Sequence, residues 1–280
     1  MKFKKIVIIG MGLIGGSIGK ALIEKNLADE VTGVCRRQSS LDRAIKEKSL
    51  STGYVNSYDE AVPGADVVFI ATPVHIIKEV LEGLSGVLKD GKTLVTDVGS
   101  TKKEIVDYAD RFKDSFSFVG GHPLAGSEKT GVEYAEADLF RDSLCVLTRG
   151  GLTSEEDLQK LHELWQAMGA RVDVVTPEEH DGILSLTSHL PHIVAYALAG
   201  SQKAGHSKYM STGFKDATRI ASSDPALWSD IFISNRDNVL SSIGRFKELL
   251  SGIEDDIRNG REEPLKKKLE TFKKIRDDIF

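Results

Sequence analysis

A chain of 280 residues, 40% hydrophobic and 28% charged, has room for two ordinary domains, each able to bury a core. Its formal net charge of −5 argues against a general nucleic-acid binder, which would carry a basic excess, but still allows a local cationic pocket. No apolar stretch reads as membrane-spanning, and Cys35 and Cys145, far apart, fit a reduced cytoplasmic protein with free thiols.

In chain order, Ile6 to Ile9 form a β-branched apolar run expected of a parallel strand covered on both faces. The run is too short for a leader peptide and soon becomes glycine-rich. Leu13 to Lys25 carry helical periodicity. Val31 to Val34 read as a strand, Leu41 to Lys48 as a helix, Asp66 to Ala71 as a strand and His75 to Leu88 as a helix. Thr93 to Asp97 is a strand and Lys102 to Phe112 a helix. Ser117 to Val119 and Ser143 to Thr148 add strands. Thr153 or Ser154 caps a helix that ends at Met168, before Gly169, and Arg171 to Val175 is a last strand. This alternation predicts an α/β fold: an N-terminal Rossmann-type, doubly wound, largely parallel sheet over residues 1–176. From 177 to 280 the pattern is all helical. One helix covers 178–203 with a kink at Pro191. Asp224-Pro225 starts another, and Leu265 to Ile279 mark the last. The apolar faces of these helices serve either the monomer's own core or a dimer interface.

The first chemical motif is Gly10-Met11-Gly12-Leu13-Ile14-Gly15, a G-x-G-x-x-G that follows a strand and opens a helix. Gly10 permits the turn, Gly12 lets the backbone reach a pyrophosphate at the helix N-terminus, and Gly15 allows close packing. An acid for the ribose 2′-hydroxyl is expected about 20 residues on. The chain has Cys35-Arg36-Arg37-Gln38-Ser39-Ser40 there instead. Arg36 and Arg37, with Ser39, suit a 2′-phosphate, so NADP is favoured slightly over NAD. Thr72 and Pro73 end the third strand, where cofactors bind; an ordinary strand-ending turn reads equally well.

Catalysis points to Gly120-Gly121-His122-Pro123, where a loop histidine sits between glycines and a proline that favours extended backbone. Histidine is the usual general base. Ser100, in Asp97-Val98-Gly99-Ser100, either orients His122 or the substrate, or caps the next helix; the cap is the commoner role. Asp181, Ser185, Ser188 and His192 recur at spacings that place them on one helix face. A polar stripe among apolar neighbours is costly to bury and is expected to face water or a polar ligand. His189 lies one turn from His192, but no third ligand of matching spacing accompanies them, so no metal is expected. Lys215 and Arg219, in Gly213-Phe214-Lys215-Asp216-Ala217-Thr218-Arg219, read either as a grip for an anionic substrate or as a surface salt-bridge cluster.

Together these segments resemble the prephenate/arogenate dehydrogenases of tyrosine biosynthesis, nearly end to end. The glycine fingerprint is widely shared. Asp97-Val98-Gly99-Ser100, the segment Gly120 to Gly126, Ser188-His189-Leu190-Pro191-His192 and Gly213 to Arg219 make the resemblance specific. It implies oxidative decarboxylation of prephenate to 4-hydroxyphenylpyruvate with NAD(P). His122 would accept the ring hydroxyl's hydrogen bond, assisted by Ser100. Arg219 would grip a carboxylate, with His192 near the pyruvyl chain. Lys215, Trp228 and Ser188 would border the pocket, and Asp181 and Glu128 would gate or organise it. It further implies a helical domain that dimerises, a cleft between the domains, and no length for a fused mutase or regulatory domain. The partners expected are a small-molecule substrate and a second copy of the chain, with no nucleic acid and no membrane. Arogenate is the alternative substrate, with Asp181 as receiver for its ammonium. Other readings are another dehydrogenase on the same plan or a nucleotide-binding redox sensor without turnover.

Overall fold

The computed structural model describes residues 2–89, 91–126, 129–151, 153–203 and 205–279. Eight strands, β1 (Phe3–Ile9), β2 (Ala28–Cys35), β3 (Thr52–Val55), β4 (Val67–Ile70), β5 (Leu94–Asp97), β6 (Ser117–Pro123), β7 (Leu144–Thr148) and β8 (Arg171–Val175), form one sheet in the order β3-β2-β1-β4-β5-β6-β7-β8. The first six run parallel; β7 is antiparallel to β6 and β8 parallel to β7. Helices α1 (Leu13–Glu24), α2 (Gln38–Lys46), α3 (Tyr58–Ala61), α4 (Val74–Val87), α5 (Lys103–Ala109) and α6 (Glu155–Met168) cover the two faces. Successive side chains of a strand point to opposite faces, so β1 serves two cores. Ile6 and Ile8 pack with Ile18, Phe69 and Trp165 on one side, while Val7 and Ile9 pack with Val68, Ile77 and Leu81 on the other.

After Val175 the chain is helical: α7 (Pro177–Leu184), α8 (Leu190–Gly200), α9 (Thr212–Thr218), α10 (Pro225–Ser234), α11 (Arg236–Arg258) and α12 (Glu262–Ile279). The predicted caps are present. Ser154 accepts from the Asp157 amide, Gly169 closes α6 at φ 106°, and Asp224 accepts from the Ala226 amide.

Four differences from the sequence reading have physical causes. Strand β3 was not anticipated: it is a four-residue edge strand with Gly53 inside and mostly half-exposed residues, so it lacks a clear apolar pattern. Strand β6 continues beyond Val119, so His122 lies in a strand rather than a loop. Residues 117–119 pair with β5, then Gly120 to Pro123 pair with β7, with His122 opposite Val146. The kink predicted at Pro191 is a π-helical turn, Ser185–His189, between α7 and α8. Pro191 has no amide hydrogen to give, and the wider turn before it accommodates the loss. Finally, Pro177–Gly200 is a 24-residue helical stretch containing an 18-residue window of mean hydropathy 1.2, long and apolar enough by composition to cross a membrane. That corrects the expectation that no such stretch exists. Here polar contacts to α5 and α11 hold it within the fold.

Candidate active site

The glycine turn has the geometry that a nucleotide requires. Gly10 sits at φ +99°, and a Cβ there would meet the Ala71 carbonyl oxygen at 2.5 Å. A Cβ on Gly15 would lie 2.0 Å from the Gly10 carbonyl oxygen, so this glycine lets α1 close on its own turn. At Gly12 a Cβ would meet nothing, which leaves room for a group from outside the protein. Gly12 is the N-cap of α1, with no side-chain cap and no acid in the first turn, so the helix end is open to an anion. A cavity of about 610 Å³ opens here, lined among others by Gly10, Gly12, Arg36, Arg37, Ser40 and Thr72. Among the described residues the buried Thr72 hydroxyl has no hydrogen-bond partner. Pro73 lines the same cavity. Leu13 and Ile14 form the first turn of α1, Ile14 packing on the core. Ser39 is exposed and does not line the cavity; its neighbour Ser40 does. Glu79, from α4, adds an acid that the strand-end motif did not reveal.

His122 belongs to a chain of polar contacts between the domains. Its Nδ1 lies 2.9 Å from His180 Nε2, and His180 Nδ1 lies 2.8 Å from Asp181 Oδ1. The order of bonds assigns the tautomers. Ionised Asp181 only accepts, so His180 donates from Nδ1 and accepts at Nε2. His122 then donates from Nδ1, and its Nε2 keeps the lone pair. Burial holds His122 well below the usual histidine range, and the charges of His180, Lys102 and His189 push the same way. Burial lowers His180 too, against its bond to Asp181. Burial pushes Asp181 up, but its bonds to His180 and to the Lys103 and Lys102 amides outweigh this and leave it below the usual carboxylate range.

Asp181 is fully engaged, and this corrects the predicted polar stripe. It accepts from the Lys102 amide at 2.8 Å and the Lys103 amide at 3.0 Å, thereby capping α5 from the helical domain. Ser185 is buried and bonds to Ser242 at 2.9 Å. Neither residue faces water or a ligand, because these partners remove the burial cost that the stripe argument invoked. The capping role expected of Ser100 is likewise not taken: the N-cap of α5 is Lys102, without a side-chain cap. Among the described residues the Ser100 hydroxyl has no hydrogen-bond partner, and the residue is partly exposed.

On the helical side, His192 gives Nδ1 to the Ser188 carbonyl at 2.9 Å and stacks on Trp228 with centroids 3.3 Å apart. Burial lowers His192, and the nearby charge of Arg219 lowers it further. Trp228 also meets the edge of His189, whose side chain lies 3.2 Å from Asn235. Contacts and electrostatic neighbours therefore run from Arg219 through His192, Trp228 and His189 to His122. Lys215 and Arg219 are exposed and have no carboxylate partner among the described residues, which disfavours the surface salt-bridge reading. Glu128 lies outside the described residues. Elsewhere between the helical part and the sheet domain, Asp230 of α10 accepts from the His75 amide at 3.0 Å and contacts His75 Nδ1 at 2.9 Å, docking α10 on the start of α4.

The sequence reading missed His180, Asn235 and the buried pair Asp97–Lys102. His180 carried one available signal: it precedes Asp181 on a helix whose later residues were already of interest. Helical spacing alone sets it on a different face.

Comparison with known proteins identifies the family of the chain. Residues 18–174 match the family model described as prephenate dehydrogenase, nucleotide-binding domain, and residues 176–271 the one described as prephenate dehydrogenase, dimerization domain. The prephenate dehydrogenase of Bacillus subtilis (strain 168) is 36% identical over 98% of this chain and 76% of its own length. The structure of prephenate dehydrogenase from A. aeolicus in complex with hydroxyphenyl propionate and NAD+ superposes with a TM-score of 0.91 at 33% identity, covering 100% of this chain and 99% of that one. Synechocystis arogenate dehydrogenase has a TM-score of 0.86 at 29% identity, with coverage of 99% and 100%. The chain therefore belongs to the prephenate dehydrogenase family of NAD(P)-dependent oxidoreductases.

Proposed function

We propose that this protein oxidatively decarboxylates prephenate to 4-hydroxyphenylpyruvate, with His122 as the acceptor for the ring hydroxyl. The relay Asp181–His180–His122 carries the reading, because it leaves a neutral imidazole with its Nε2 lone pair free. A nicotinamide nucleotide held at the Gly10–Gly15 turn would supply the hydride acceptor for the hydroxyl-bearing ring carbon. His122 Nε2 takes the hydroxyl proton as that carbon becomes a carbonyl. The positive charge on His122 is then shared toward His180 and Asp181, as in hydrolase triads. The product of this step is a vinylogous β-keto acid. When its ring carboxylate leaves as carbon dioxide, the bond's electron pair enters the ring, and the proton on His122 can return to the ring oxygen. Protons, electrons and charge therefore balance without a further reactant.

Ser100, whose hydroxyl is unengaged, orients the substrate hydroxyl beside His122. Arg219 binds a substrate carboxylate, and Lys215 supplies a second cation one turn away. His192, Ser188 and Trp228 form the wall against the pyruvyl side chain. Gly10, Gly12, Leu13, Ile14 and Gly15 hold the pyrophosphate, with Thr72 and Pro73 at its flank. Arg36 and Arg37 favour NADP over NAD; NAD remains a substrate of the same pocket, with Glu79 as the acid nearest in kind to a ribose partner. Arogenate is disfavoured by one observation: Asp181, the acid that sequence offered to its ammonium, is 2% exposed and engaged with His180 and α5.

The units we assign are 1–176 for the nucleotide and 177–280 for substrate and dimerisation. A homodimer through the helical domain is supported by the matched dimerization model and by exposed Leu240, Leu250 and Ile257 on α11. Buried free Cys35 and Cys145 suit the cytoplasm. The deciding assay follows reduced-nicotinamide absorbance with prephenate or arogenate, each with NAD or NADP. Fastest turnover with prephenate and NADP is the expected result. Turnover with arogenate alone overturns the substrate, faster turnover with NAD overturns the cofactor preference, and silence in all four overturns the activity.

A further inference from the structure

Asp97, at the end of β5, and Lys102, just before α5, face each other as an ion pair with both side chains fully buried. Such a pair adds little stability, because taking two charges out of water costs about what their attraction returns. A structural reason for this one lies in the contacts of the carboxylate. Its Oδ2 accepts from Lys102 Nζ and from the Gly99 amide at 2.8 Å; its Oδ1 accepts from the Gly121 amide at 3.2 Å. Gly99 precedes Ser100, and Gly121 precedes His122. One carboxylate therefore ties the turn carrying Ser100 to the strand carrying His122, and the Lys102 ammonium pairs with it where both side chains are fully buried. The surrounding glycines fit closely. A Cβ on Gly99 would meet Asp97 Oδ2 at 2.8 Å, and one on Gly121 would meet the Asp97 carbonyl oxygen at 2.8 Å. Lys102 also touches the far end of the relay, since its amide donates to Asp181.

We propose that Lys102 is a positioning residue for the reaction, holding Ser100 and His122 in mutual register through Asp97 while its backbone anchors Asp181. This rests on the reading of His122 as the proton acceptor. The groups facing His122 are His180 and Asp181 from α7, His189 from the π turn, Asp97 and Lys102 from the β5–α5 turn, and Cys145 from β7. Within that set Lys102 opposes protonation of His122, while burial lowers the lysine itself against its pairing with Asp97. Loss of Lys102 moves the acid limb of the rate profile to higher pH.

The test uses the whole protein in three forms: Lys102→Met, the double variant Asp97→Asn with Lys102→Met, and His122→Asn. For each, kcat, KM, reduced-nucleotide binding by fluorescence and the rate from about pH 5 to about pH 8, where histidines titrate, are measured. Lys102→Met should lower kcat about tenfold to a hundredfold, the range for a misplaced catalytic group. KM and nucleotide binding should hold, and the acid limb should rise. The double variant leaves no unpaired buried charge, so it decides the matter even if the single variant does not fold. It should also show low kcat, with a limb that moves less than in Lys102→Met because the Asp97 charge leaves with that of Lys102. Wild-type kcat in either folded variant, or a lower kcat with an unmoved limb in Lys102→Met, overturns the proposal. Residual activity in His122→Asn that keeps the acid limb would instead refute His122 as the acceptor, a failure separate from that of Lys102.

Discussion

His122 stands at the end of a chain of buried partners, whereas Arg219 and Lys215 stand on the exposed surface of α9 and the turn that follows it. The base end is preorganised. His180 and Asp181 are almost wholly buried, their bonds set the tautomer of His122, and burial keeps that imidazole neutral. In a low-dielectric setting such bonds act strongly and need no rearrangement as charge develops. The anion end has the opposite character. Its cations have no protein partner among the described residues and remain hydrated until a carboxylate arrives. The contrast matches the two tasks: moving a proton rewards fixed geometry, while capturing a doubly charged substrate from solution rewards accessible charge.

Variants at the two ends should therefore fail differently. The largest effect is expected for His122→Asn, with kcat lower by about a hundredfold to ten-thousandfold and nucleotide affinity unchanged in a fluorescence titration. Unchanged turnover would remove His122 from the mechanism. Asp181→Asn tests the rest of the chain. It should lower kcat about tenfold to a hundredfold, less than in a hydrolase triad, because a second imidazole intervenes. It should also lower the melting temperature, since Asp181 caps α5. Arg219→Ala should raise KM about tenfold to a hundredfold, as one charge-assisted contact is worth, while kcat holds. If only thermal stability fell, Arg219 would be structural and the contrast would collapse. Replacing Arg36 and Arg37 with alanine should weaken NADP about tenfold more than NAD, again one charge-assisted contact; equal weakening would end the 2′-phosphate reading.

A further effect is on stability against pH, and it comes from the buried histidines. His189, lowered to about 4 by burial, is neutral in the native state across a range where the unfolded chain's histidine, near 6.5, takes up a proton. The unfolded state then binds more protons, so unfolding free energy falls as pH drops from about 6.5 toward 4 and is flat above. The slope is at most about 1.4 kcal/mol per pH unit for that histidine, and His122 and His180, lowered in the same direction, add to it. Urea titrations at pH 5 and pH 7 would read it, as round values either side of ordinary histidine titration. Equal stability at both would contradict buried neutral histidines.

The sequence by itself determined the parts governed by local chemistry. The glycine turn, the alternation of strands and helices, the change to all-helical structure near residue 177 and the caps at Ser154 and Asp224 all follow from backbone sterics and side-chain periodicity. The identities of His122, His192, Trp228 and Arg219 as residues of interest were legible too. Their company was not. That His122 lies in a strand is decided by β7, a segment more than twenty residues on that pairs with it. That Asp181 faces inward rather than toward a ligand is decided by the open amides of α5, about eighty residues earlier. Only tertiary structure joins His122 to His180 and Lys102 to Asp97 in one water-poor core. A buried polar group is stable only with a partner, and which partner reaches it is settled by how the domains dock, not by spacing along the chain.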